Sequence, residues 1–401
     1  MRRTAVILVL AALPLAMGGC GWFAEPPILE SDFEADPFAA GWTFAAPPGV
    51  TADGAWAGGG AGGSRCLVIE SGYAESPPAP VEPLAYYRMR FRSRAAEEGV
   101  WGAFFARAGG EPLPSVCLDS LYAPTHWDET EVCVRAHAEA VEMRLRFEAA
   151  GAPVAIDDVA VEPVDAGDVA DWADAVHAML PPLVYALPAD RFQYLPRTRA
   201  ALSGGETLRV VVLGDSIAND LSHSLFEVLV AREWPEADVE VITAVESGAG
   251  CEFYREGDRL REYVLRHAPG LVMIAGISHG CNAEAVRDCV RRLRAAGDAD
   301  VWVLSGAVPS LAWMRADMRS RTGLPEAVVA EIFRGWPAPL AAMCAEEKVA
   351  YLDLRGAWEA YLAGSPRPRA WYQRDAVHAN TRGKQVLGRI VAGYLAPEEA
   401  G

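Results

Sequence analysis

Apolar and polar positions follow two rhythms along this chain, and the change comes near residue 207. Beyond it, short uninterrupted apolar runs recur: Leu208-Arg209-Val210-Val211-Val212-Leu213, then 239–244, 271–275, 301–305 and 349–354. Runs this short and this apolar read as strands buried on both faces. Between them, apolar residues recur every three or four positions, which predicts helices over 220–232, 259–267 and 283–296, in parts of 326–347, and over 381–395. Strand and helix in alternation specify a parallel sheet covered on both sides, so 207–397 reads as an α/β domain.

Ahead of that lies a segment with no helical period. From 28 to 163 the apolar residues alternate, as in Met143-Arg144-Leu145-Arg146-Phe147 and in Val154 to Val161, and Gly, Pro and Asp punctuate the runs. Period two with frequent turn residues predicts half-buried antiparallel strands, hence an all-β sandwich. Its opening Asp32-Phe33-Glu34 and Gly41-Trp42, with Ile156-Asp157-Asp158-Val159 at its close, resemble the jelly-roll, galactose-binding-like modules of carbohydrate-active proteins. Indole faces stack on sugar rings, so Trp22, Trp42, Trp56, Trp101 and Trp127 are candidates for sugar contact, with a core role as the commoner use of tryptophan. Asp157 and Asp158 are candidate oxygen ligands for a structural calcium, although two carboxylates do not make a site. A short helix over 169–180, then Pro181-Pro182 and a proline-punctuated run to Pro196, make 164–206 a stiff joint. So long a chain exceeds the usual limit of a single core, in keeping with two bodies.

The first twenty residues read as a secretion signal: Arg2-Arg3, an apolar stretch over 5–15, and Met17-Gly18-Gly19-Cys20. The last four resemble a bacterial lipobox, which implies that Cys20 is diacylated and tethers the protein to a membrane of the cell envelope. A net charge of −18 does not suit nucleic acid, whose phosphates need basic surface. Seven cysteines follow Cys20, an odd number for an exported chain. Cys117 with Cys133, and Cys251 with Cys281, are candidate disulfides.

Chemistry concentrates at two places. Gly214-Asp215-Ser216 is the sharp exit from the strand 208–213, and Asp375-Ala376-Val377-His378 stands about 160 residues downstream, just before the last helix. An aspartate three residues from a histidine can hold its ring in a tight turn, and the ring can then activate a serine. Asn380 and Thr381 read as the cap of the last helix.

These two motifs, in this order and at these borders, resemble blocks I and V of the SGNH, or GDSL-type, hydrolases. The resemblance covers about 190 residues, 208–395, and implies a flavodoxin-like three-layer α/β/α sandwich that hydrolyses esters through an acyl-serine. It implies Ser216 as nucleophile, His378 as base and Asp375 as the group orienting it. It also implies an oxyanion hole built from the Ser216 backbone N–H, a block II donor at Ser247 or Gly248, and a block III side chain. Block III departs from the family pattern: Gly276-Ile277-Ser278-His279 stands where Gly-x-Asn-Asp is usual, so Ser278 takes the asparagine's place, with Asn282 and His279 as further donors. Trp371 and Tyr372 are candidate pocket residues, and 309–313 with 321–336 form a long excursion that suits a pocket wall. His223, His279 and His378, with Cys251 and Cys281, lack the short spacing of metal sites, so no metal or other cofactor is expected. The reading at this point is a lipid-anchored esterase removing acetyl or similar acyl groups from a carbohydrate. Its rivals are a lipase or thioesterase of the same fold and a glycan-binding lipoprotein that has lost catalysis.

Overall fold

A computed structural model of the chain describes residues 26–276, 281–308 and 323–398. Several expectations fall outside these residues: the signal segment with Cys20, Trp22, the block III positions Ile277, Ser278 and His279, and the excursion over 309–313 with Arg321.

Five parallel strands form the second half, in the spatial order Asp238–Val245, Thr207–Gly214, Leu271–Ile274, Asp300–Leu304, Ala350–Leu352. Numbered along the chain this is 2-1-3-4-5, and the order reverses beside Thr207–Gly214. Ligands in open α/β sheets bind at the carboxyl ends of the strands beside such a reversal, which is where Ser216 lies. Alternate residues of that strand feed two cores. Val210 and Val212 pack with Phe226, Leu387 and Ile390, whereas Val211 and Leu213 pack with Val286, Val290 and Leu340. Helices therefore cover both faces, as the continuous apolar runs require.

Two helices differ from expectation. The stretch 220–232 is not one helix but two, Ser216–Ser222 and Phe226–Glu233, broken where Leu225 takes a left-handed φ of 55°. The stretch 259–267 is a short helix, Arg259–Tyr263, followed by the 3₁₀ turn Leu265–His267. In the joint, the helix runs Ala166–Ala178 and is capped by Asp165, whose side chain accepts from the Asp168 N–H.

The first half is a nine-stranded antiparallel sheet dominated by one hairpin, Tyr86–Ala106 with Pro112–Arg135. Tyr86–Ala106 pairs with Val154–Val164 along its first part and with Glu142–Ala149 along its second. Its pairing with Pro112–Arg135 shifts register around Ser93, Ala95 and Gly99, the irregularity by which a long strand turns a corner. Trp42, Phe91, Trp101 and Phe147 fill the space inside and touch one another edge-on or tilted. Trp42 and Trp101 are therefore core residues. Trp56 is half-buried, donates to the Phe33 carbonyl at 2.7 Å and lies under the Arg65 guanidinium. In keeping with two carboxylates not making a calcium site, protein donors occupy the buried Asp157. One of its oxygens accepts from Ala61 N and Ser64 Oγ at 2.8 and 2.7 Å, the other from Asp158 N.

Pro112–Arg135 ends the sheet, and its second edge is covered by the α/β body. An uncovered edge presents unpaired N–H and C=O groups. Here the Asn219 side chain donates to Val116 O at 2.7 Å and accepts from Val116 N at 3.3 Å, pairing with the strand as another strand would. Below it, Arg135 and Glu227 form a buried ion pair, with Arg135 also donating to Ser222 O. His137 reaches from the β half to Thr243 O at 3.0 Å. The two halves share one continuous core along this seam.

No disulfide joins the described cysteines. Cys117 and Cys133 lie in the same strand, 16 residues apart, and so cannot bridge neighbouring strands. Cys251 and Cys281 are both free thiols, and the Cys289 thiol donates to the Cys251 carbonyl at 3.4 Å.

Candidate active site

The exit from strand Thr207–Gly214 is built for close approach. A Cβ on Gly214 would meet Ala275 O at 2.1 Å and Ala218 Cβ at 2.7 Å. Gly276, with φ of 100°, lies so near Asp215 that a Cβ there would stand 2.5 Å from Oδ1. These two glycines let the ends of adjacent strands converge. Asp215 is buried and caps the helix Ser216–Ser222 by accepting from Ile217 N at 2.9 Å and Ala218 N at 3.4 Å. The Tyr254 hydroxyl donates to Gly214 O at 2.6 Å and fixes the turn from the other side. Ser216 is thereby the first residue of a helix whose next six residues are all buried.

The other half of the site is a tight loop. Gln373 and Ala379 form an isolated antiparallel bridge, and Arg374 N donates to His378 O at 3.0 Å. Inside it Asp375 Oδ1 accepts from Val377 N at 2.7 Å and His378 N at 2.9 Å. The same carboxylate lies 2.8 Å (Oδ2) and 2.9 Å (Oδ1) from His378 Nδ1. A carboxylate can only accept, so Nδ1 carries the proton and Nε2 presents a lone pair. That lone pair faces Ser216 Oγ at 2.9 Å. Burial pushes the Asp375 carboxyl up, but the hydrogen bonds from the His378 ring and from Val377 N outweigh it and hold the group well below the usual carboxylate range.

Loop and helix are tied together by residues that the motifs do not include. Asp220, buried one turn after Ser216, accepts from Ala379 N at 3.0 Å and stands 3.9 Å from Arg374 Nη1. Burial pushes its carboxyl up, against the pull of Lys384, Arg374 and His378. Arg374 itself donates to Asp375 Oδ2 and to Leu118 O, both at 3.3 Å. Buried Lys384 donates to Leu118 O at 2.6 Å, and Asp119 accepts from Thr381 N at 2.6 Å. One strand of the β half thus braces both the serine-bearing helix, through Asn219, and the loop carrying Asp375 and His378. Asn219 and Asp220 lie three and four residues after Ser216, and that closeness to the serine motif is the signal by which they could have been singled out. Nothing local marks Pro114, Val116 or Leu118.

Ser216 and His378 open on a cleft of about 200 Å³, whose far wall is Pro114, Val116 and Leu118 and whose rim includes Ser247. Gly248, with φ of 68°, is exposed next to Ser247 but does not line the cleft. Two sequence expectations are corrected, those for Asn282 and Tyr372. Asn282 is not among the residues lining the cleft: its side chain caps the helix Ala283–Ala296 and donates to Glu252 at 2.7 Å. Tyr372 is core, packed edge-on against Trp358 and Tyr361. Trp371 is half-buried under the Arg382 guanidinium and borders a different hollow. Asn380 caps the last helix by accepting from Gly383 N at 3.1 Å.

No family model matches this chain, and no curated protein does. Solved structures resemble parts of it. It is similar to a catalytic mutant of Axe2, an acetylxylan esterase from Geobacillus stearothermophilus, at 13% identity and a TM-score of 0.38, over 48% of this chain and 95% of that one. It is similar to CEX, a two-domain esterase active on acetylated mannans and co-crystallized with mannopentaose, at 14% identity and a TM-score of 0.39, over 53% and 56%. The enzymatically active domain of bacteriophage CBA120 tailspike protein 4 is similar at 14% identity and a TM-score of 0.28, over 33% of this chain. The chain spans 20% of that tailspike chain and just over half of CEX.

Proposed function

We propose that this protein is a serine ester hydrolase of the SGNH, or GDSL, type that removes small acyl groups, acetyl foremost, from a carbohydrate through an acyl-serine intermediate. The observation that carries the reading is the relay from Ser216 Oγ to His378 Nε2 at 2.9 Å and from His378 Nδ1 to Asp375 at 2.8 Å, opening on a cleft. Ser216 Oγ attacks the ester carbonyl carbon as its proton passes to His378 Nε2. Asp375 stabilises the resulting imidazolium and keeps the ring in register. Collapse of the tetrahedral adduct expels the sugar oxygen, which takes the proton from Nε2. Water then repeats the sequence on the acyl-serine and releases the carboxylic acid.

The oxyanion is assigned to the backbone N–H of Ser216, a donor from Ser247 or Gly248, and Ser278. Replacing such a side-chain donor typically changes the rate by about 10²- to 10³-fold. The volume of about 200 Å³ supports a small acyl group, because sites for larger ligands run to roughly 300–1,000 Å³. The same reading includes domains at 28–163 and 207–397 joined by 164–206, a jelly-roll form for the first, and Cys20 as the lipid anchor in a bacterial envelope.

A fluorophosphonate probe tests the chemistry: the wild type is expected to be labelled and Ser216→Ala not, and an unlabelled wild type would overturn the hydrolase reading. A scan of p-nitrophenyl esters from C2 to C12 tests the acyl size. Preference for C8 or longer would replace acetyl with a lipid or thioester substrate.

A further inference from the structure

The strand that walls the cleft does so with alternate residues. Leu113, Ser115, Cys117 and Asp119 are buried against the molecule, whereas Pro114, Val116, Leu118 and Ser120 face outward. Those four residues border three hollows in sequence. Pro114 lines one of about 560 Å³, Pro114 to Leu118 line the central cleft, and Ser120 lines a third of about 670 Å³. The first and central hollows share Val245 as well as Pro114. At 3.3 Å per residue, Pro114 to Ser120 spans about 20 Å.

The third hollow is mostly polar and the first is mixed, with Pro112, Leu113 and Val245 in its wall, and both carry both signs of charge. Glu246, Glu262, Tyr263 and His267 border the first, together with Arg107, which is paired with Glu139 at 2.6 Å. Trp371, Arg382, Asp128 and Thr130 border the third, where Arg382 lies 4.4 Å above the indole ring. A peptide could in principle lie along such a strand by adding to its edge. That edge is already used: Val116 N and O pair with Asn219, and Leu118 O accepts from Lys384 and Arg374. What remains are side-chain donors and acceptors on both sides of an ester-sized cleft, and these suit a chain of hydroxyl groups. Asp128, Glu129 and Glu131 around the third hollow, and a net charge of −18, disfavour a polyanion.

We propose that the three hollows form one trough that binds a linear, uncharged glycan along the strand Pro112–Arg135, presenting a side-chain ester to Ser216 from the middle of the polymer. The trough spans the seam between the two halves, so the β half contributes directly to polymer recognition. This rests on the hydrolase reading for the central cleft but is tested apart from it.

In the first arm, deacetylated neutral oligosaccharides of one to six residues are titrated calorimetrically into Ser216→Ala. Affinity is expected to rise at least tenfold from monomer to hexamer. Equal affinity at all lengths, or equal binding of uronate oligomers, overturns the proposal. In the second arm, kcat/KM for an acetylated hexamer is divided by that for the acetylated monomer, a ratio that does not depend on how much of a variant folds. A wild-type ratio of ten or more, falling towards one in Glu262→Trp and in Thr130→Trp, supports the trough; a ratio near one in wild type sinks it. Length-dependent binding in a protein that neither releases acetate nor is labelled by the fluorophosphonate would retain the trough and end the hydrolase reading instead.

Discussion

The two halves of the molecule reach the cleft by different routes. In the α/β half, Asp215 caps the helix of Ser216 within three residues, and Asp375 holds the ring and the backbone of His378 three residues on. Those orientations are local, set by short-range hydrogen bonds at the ends of buried strands. The β half supplies no group to the relay. It supplies a strand whose free edge is completed by Asn219 and Lys384, and whose outward residues shape the wall facing Ser216. Reactive groups are thus organised by local turns, while the cleft they serve exists only because a distant sheet is docked beside them.

The contrast can be broken most sharply from the α/β side. Ser216→Ala or His378→Ala is expected to lower kcat by about 10⁵- to 10⁶-fold on any ester, with the melting temperature little changed. Loss of folding together with activity would mean that these residues serve structure. Next comes Asp375→Asn, which keeps the shape of the loop but presents an amide to Nδ1 and favours the wrong tautomer. A fall of about 10⁴-fold in kcat is expected, measured against intact circular dichroism.

The β side should respond in stability before chemistry. Arg135→Met leaves Glu227 buried without its cation, and denaturant unfolding should show a loss of about 3–5 kcal/mol. If the two halves unfold separately in the wild type, the shared seam does not couple them and the comparison fails.

A smaller effect is expected from pH. His137 donates from Nε2 to Thr243 O and accepts the Glu139 N–H at Nδ1, so it is neutral at the seam. Burial pushes its ring down from 6.5 to about 4. Between those values the unfolded chain holds the extra proton, so the contribution is complete above about pH 6.5 and is lost as pH falls towards 4. The size is on the order of 3 kcal/mol. Thermal melts from pH 7 to 4 should show the decline, and His137→Gln, which retains a donor for Thr243, should flatten part of it.

Strand positions in the α/β half were legible because an apolar run buried on both faces needs no partner to be identified. Helix breaks were not: Leu225 adopts a left-handed φ in a stretch whose apolar period continues unbroken. The pocket assignment of Tyr372 failed because two adjacent aromatics look alike in sequence, although one is fully buried and its neighbour borders a separate hollow. Asn282 was misplaced for a related reason, since an asparagine before a helix serves as a cap wherever its two N–H partners are free to bond.

The sequence by itself determined the alternating strands and helices of the second half, the alternating strands of the first, and the spacing that lets Asp375 hold His378, because each depends on residues close along the chain. Only the tertiary structure decided that Ser216 lies 2.9 Å from that ring and that Pro114, Val116 and Leu118 stand opposite. Those proximities join segments about 100 residues apart or more, through an edge strand whose unpaired backbone found its partners in the side chains of another sheet's helices.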